Sequence, residues 1–99
     1  MFDLNTIKKR YFEIKMGEQI LELEPPSKKM LTKVTALSNI KDGKKATDGL
    51  YEAVEMILNK NSANKKISED TVADLNLDQV SGIVTAYFEW LKQTKDSKN

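Results

Sequence analysis

The sequence contains no cysteine and no histidine, and only two prolines and four glycines. Without cysteine there is no disulfide, thiolate metal site or thiol nucleophile. Without histidine the commonest general base and metal ligand is missing, so zinc centres and Ser-His or Cys-His catalysis are excluded. Neither charge dominates: 16 basic and 15 acidic side chains leave a net +1. Residues 1–50 carry 10 basic and 7 acidic groups and residues 51–99 carry 6 and 8, too small an asymmetry for a generally cationic nucleic-acid binder. No apolar run approaches the roughly 18 residues of a membrane helix. Met1-Phe2-Asp3-Leu4 carries an acid where a secretory signal has a basic cluster, so the expectation is a soluble, cytoplasmic protein. What is present is 99 residues, 39% hydrophobic and 31% charged, read as a single domain over 1–99. A chain of that size buries about 60 to 70% of its unfolded surface, enough for one core but not for a deep internal cleft.

Residues 10–24 alternate apolar and polar side chains on both sides of Gly17, the period-2 pattern of a half-buried hairpin. With Gly17-Glu18 as a type II′ loop, Ile14 faces Leu21 and Phe12 faces Leu23, making one face apolar while Glu13 meets Glu22 on the other. Both outer edges of such a hairpin are open to a strand from another copy, which implies a homo-oligomer. Pro25-Pro26 stops the second strand, and Ser27 caps a helix to about Ile40 that turns Met30, Leu31, Val34 and Leu37 inward. Asn39 to Lys45 is a break, and a second helix runs from about Ala46 to Lys60. Asn59 to Lys66 is polar and disorder-prone, Ser68 caps a short helix through Leu75, and Asn76 opens a last helix ending near Gln93. Residues 94–99 have nothing to bury and are expected to fray. The fold class is therefore α+β: an N-terminal two-stranded hairpin (10–24) packed on a helical part (27–93) of three or four helices.

Paired carboxylates are the only catalytic constellation left. Glu52 with Glu55, and Glu69 with Asp70 and Asp74, lie opposite the apolar stripes, where solvated helix faces explain them better than a buried acid/base site. Asp42-Gly43-Lys44-Lys45 lacks phosphate-loop spacing, and Glu69-Asp70-Thr71-Val72 lacks the alternating ligands of a calcium loop. No catalytic residue, metal ligand or cofactor site is assigned, and the chain is read as non-enzymatic. A small helix-turn-helix regulator is the alternative, because a short helix, a turn and a longer helix follow one another from Ser68 to Ala86. Its recognition helix would carry no cation before Lys92, and Glu69, Asp70, Asp74, Asp78 and Glu89 would face phosphate, so no specific nucleic acid is expected.

The last helix carries the candidate surface. Val80, Ile83, Val84, Tyr87, Phe88 and Leu91 form its apolar stripe, while Ser81, Gly82, Thr85 and Ala86 fall on the other side, small and uncharged. Trp90 at the rim is the residue type that anchors protein interfaces, so these five positions are the expected protein-binding surface. The competing account packs this helix on both sides within its own bundle.

In its order of features the chain resembles the tail assembly chaperones of long-tailed phages and prophages of Gram-positive hosts. The resemblance lies in the short charged N-terminus, Arg10-Tyr-Phe-Glu-Ile and a second strand ending at Pro25-Pro26. Helices then close with Leu77-Asp78-Gln79-Val80 and Tyr87-Phe88. It covers most of the chain through layout and size. It implies a non-enzymatic assembly factor of the bacterial host cytoplasm that coats the tape-measure protein and helps recruit tail-tube protein. It brings no catalytic residue.

Overall fold

Gly17 reverses the chain with φ +62°, while Glu18 keeps a negative φ, so the positive angle falls on the first loop residue as a type II′ turn requires. This computed structural model, which describes residues 1–93, pairs β1 (Phe12–Met16) antiparallel with β2 (Gln19–Leu23). Its register sets Phe12 against Leu23, Ile14 against Leu21 and Glu13 against Glu22. The alternation therefore selected the register: a one-residue slip would have turned Leu21 and Leu23 to solvent. The residues expected to fray, 94–99, lie outside the described residues.

Four helices follow: α1 (Lys28–Ser38), α2 (Gly43–Asn59), α3 (Glu69–Ala73) and α4 (Leu77–Lys92). Three start at side-chain caps. The Ser27 hydroxyl accepts from the Met30 amide at 3.1 Å, and Ser68 accepts from Thr71 at 3.1 Å. Asn76 and Gln79 exchange two bonds of 2.8 Å in a full capping box. Helix α1 stops at Ser38, short of Ile40, where the Ser38 hydroxyl and the Asn39 side-chain Nδ2 both donate back to the Thr35 carbonyl. Helix α2 starts at Gly43, ahead of Ala46, with Asp42 in the N-cap position. The apolar spacing locates the buried face, and Gly43-Lys44-Lys45 extends the helix one turn beyond it.

The core gathers Leu21 and Leu23 of β2, Val34 of α1, Ala53, Val54, Ile57 and Leu58 of α2, and Val72 of α3. Ile67, just before α3, and Val80, Val84 and Tyr87 of α4 complete it. The hairpin thus packs on its own helices, and α2 is the central element, lying against α1, α3, α4 and β2. Residues 59–66, polar in sequence, are fastened to this core. The Glu24 amide donates to the Lys60 carbonyl (2.8 Å) and the Ser62 amide to the Glu22 carbonyl (2.9 Å), so residues 60–62 run along the outer edge of β2. Asn61 is 2% exposed. Its Nδ2 donates to the Leu58 and Lys65 carbonyls and its Oδ1 accepts the Lys65 amide, each at 2.8 Å. Asn59 bridges in the same way to both backbone groups of Ile67. By composition this stretch reads as loose because its only apolar residue is Ala63; its asparagine side chains replace the missing backbone partners instead.

Candidate protein-binding surface

Between Asp78 and Glu89 the second face of helix α4 carries no charged side chain. Val80, Val84 and Tyr87 are buried, and Ile83, Phe88 and Leu91 are half-buried against the core. On the opposite side Gly82, Thr85 and Ala86 are exposed and Ser81 is half-buried. A Cβ at Gly82 would meet nothing within 4 Å. Exposed Asp78, one turn before Gly82, closes this face toward the helix start, and Leu77, 47% exposed, lies one turn before Ser81 at its margin. Glu89 and Lys92, 3.9 Å apart on the exposed surface, mark its charged end.

Trp90 is not a free rim residue. Its ring lies 5.7 Å from both Phe12 and Tyr87, and the Arg10 guanidinium carbon sits 4.1 Å over it. Arg10 Nη2 also donates to the Trp90 carbonyl at 2.6 Å. Trp90 therefore clamps the start of the hairpin to the end of α4, with only part of its surface left to a partner. Tyr87 anchors the same junction from inside: its hydroxyl donates to the Glu24 carbonyl at 3.1 Å, and burial pushes the phenol well above its ordinary range. The structure thus gathers Gly82, Thr85 and Ala86 with Ser81 at their margin, and sets Trp90 apart in the aromatic cluster.

The acidic residues divide differently. Asp48, Glu52 and Glu55 of α2 face Glu69 of α3 across an open cavity of about 780 Å³, floored by Tyr51 and Val72. Asp70 and Asp74 do not line it. Among the described residues no group of three or more acidic, histidine or cysteine side chains is placed to hold a metal ion. The α3–α4 pair has the succession of a helix-turn-helix, with Glu69, Asp70, Asp74, Asp78 and Glu89 all exposed. Against a polyanion these would repel.

One surface was missed in the sequence. Residues 1–9 form an arm with a single 3₁₀ turn at Leu4–Thr6, capped by Asp3. Phe2, Leu4 and Ile7 on it are 76, 73 and 54% exposed. Leu4, Ile7, Tyr11 and Leu91 line a cavity of about 680 Å³ edged by Lys8, Lys9 and Arg10. The signal was present in the i, i+3 spacing of Leu4 and Ile7 before Lys8-Lys9, but so short a pattern predicts no element by itself.

Among the described residues no helix is long and apolar enough to cross a membrane. The chain finds no match among protein-family models, curated proteins or solved structures.

Proposed function

We propose that this chain is a non-enzymatic assembly factor that binds helical segments of another protein along the outer face of α4, in the manner of a phage tail assembly chaperone. The observation that carries it is the stretch of the outer face of α4 between Asp78 and Glu89, where Gly82, Thr85 and Ala86 stand exposed without a charge among them and with open space above the glycine. Small side chains cost little to desolvate and let a partner backbone approach closely. The arm adds apolar surface of the kind that marks protein interaction sites, with Phe2, Leu4 and Ile7 turned to solvent. The resemblance in layout supplies the partner class: the tape-measure protein first, and tail-tube protein through it, in the host cytoplasm.

The direct test is co-purification of the chain with the product of a tape-measure gene encoded beside it. Retention of that product by the wild type and its loss in Ala86→Glu support the proposal. A tight, sequence-selective mobility shift with duplex DNA, without capture of the tape-measure product, would favour the regulator instead.

A further inference from the structure

The hydrogen bonds along β2 reveal which backbone groups of β1 are unused. Glu22 accepts from Ser62 and Glu24 donates to Lys60, so these residues aim their backbone groups away from β1. In an antiparallel ladder, residues directly opposite share this property. Glu13, opposite Glu22, therefore aims its N–H and C=O away from β2, and so does Lys15, two residues on. Among the described residues no hydrogen bond reaches these groups. The two edges of the hairpin are unequal: residues 60–62 occupy that of β2, while that of β1 is open. The apolar face is unequal in the same sense. Leu21 and Leu23 of β2 are 3 and 0% exposed, whereas Phe12, Ile14 and Met16 of β1 are only half-buried.

We propose that β1 pairs with β1 of a second copy, antiparallel about a two-fold axis at Ile14, joining two hairpins into one four-stranded sheet. The sequence Phe12-Glu13-Ile14-Lys15-Met16 fixes the partner and the register. Centred on Ile14, Glu13 of each copy faces Lys15 of the other on the solvent side, and the outward N–H and C=O groups of both residues meet. On the core side Ile14 meets Ile14, and Phe12 meets Met16, which covers the half-buried part of the apolar face. A register centred on Glu13 sets carboxylate against carboxylate, and one centred on Lys15 sets ammonium against ammonium. Odd shifts turn apolar side chains against charged ones. Only the Ile14 register is complementary in both charge and face.

The dimer goes beyond tape-measure binding and does not rest on it: it is measured on the isolated chain, and loss of either leaves the other measurable. Glu13→Lys discriminates, because within one copy it replaces the Glu13–Glu22 repulsion by an attraction and so favours the hairpin. Across the two-fold it sets lysine against lysine at both ends. Sedimentation equilibrium should show a wild-type dimer whose dissociation constant rises about tenfold or more in Glu13→Lys. The thermal midpoint of the dilute monomer should hold or rise. Adding Lys15→Glu reverses the pairs and should return the constant to within about threefold of wild type. With no native cysteine, Ile14→Cys gives a single thiol per chain, and directly opposed Cα atoms about 4.5 Å apart at a non-hydrogen-bonded site are within disulfide reach. Mild oxidation should convert it to a covalent dimer. A strictly monomeric wild type at millimolar concentration, a dimer indifferent to Glu13→Lys, or no cross-link at Ile14→Cys would each overturn the pairing.

Discussion

Asn61 has no apolar surface to bury, yet it is among the most enclosed residues in the chain. Its amide group meets the backbone groups of Leu58 and Lys65, holding residues 60–62 against β2. Asn61→Ala leaves two carbonyls and one amide without that partner and should cost about 2 to 3 kcal/mol in chemical denaturation. Asn61→Asp keeps only the acceptor and should also destabilise. Tyr87 carries the other decisive polar contact. Because burial raises its pKa above the ordinary value of 10.0, the unfolded chain loses the phenolic proton first. Above pH 10 the unfolded state then binds fewer protons than the folded one, so stability falls with rising pH. The contribution is fully present below pH 10 and is lost progressively as pH climbs toward the folded-state pKa. Tyr87→Phe removes this component. Urea melts at pH 9 and pH 11 should show a smaller alkaline loss in the variant, offset by a constant penalty of about 1 kcal/mol for the lost bond to Glu24.

At the scale of elements, two glycines in helices behave oppositely because of what lies beside them. A methyl at Gly49 would overlap the Leu37 carbonyl oxygen and come within 2.9 Å of Ile40 Cδ1, where the end of α1 crosses α2. Gly82 faces open space. Alanine improves helix propensity by up to about 1 kcal/mol at either position. Gly82→Ala should therefore raise the melting temperature, and Gly49→Ala should lower it despite the same propensity gain, because the α1–α2 crossing must open. Thermal melts by circular dichroism compare the two directly. In the sequence Gly49 is only a residue of low helix propensity inside the second helix; its packing role depends on a neighbour that periodicity does not locate. The hairpin register, by contrast, was legible, since alternation on both sides of Gly17 leaves one pairing with a uniform face. The caps at Ser27, Ser68 and Asn76 were legible too, each being a local chemical requirement. The fastening of residues 59–66 was not, because asparagine reads alike in a loop and in a bridge.

Over the whole molecule, function follows from which surfaces the fold leaves uncommitted. Helix α2 packs its apolar side on its neighbours and shows solvent a charged face, and β2 is flanked on its outer edge, so neither offers an open apolar surface. The open edge of β1, the arm and the outer face of α4 remain. The α4 face was readable from residue sizes alone: Ser81, Gly82, Thr85 and Ala86 interrupt what would otherwise be a charged exterior. The position of Trp90 was not, since its stacking on Phe12 joins residues far apart in sequence. Trp90→Ala is consequently a poor test of binding, because it opens the aromatic cluster. Ala86→Glu is a sound one, since its added carboxylate lies in solvent in the free chain and would be desolvated without a partner charge in a complex. The deciding measurement is isothermal titration of wild type and Ala86→Glu with helical segments of a tape-measure protein, the partner proposed above. The account predicts saturable binding by the wild type, about 30-fold or more weaker in the variant, for a loss of about 2 kcal/mol at a packed contact. Equal affinity of the two proteins, or binding by neither, would contradict it.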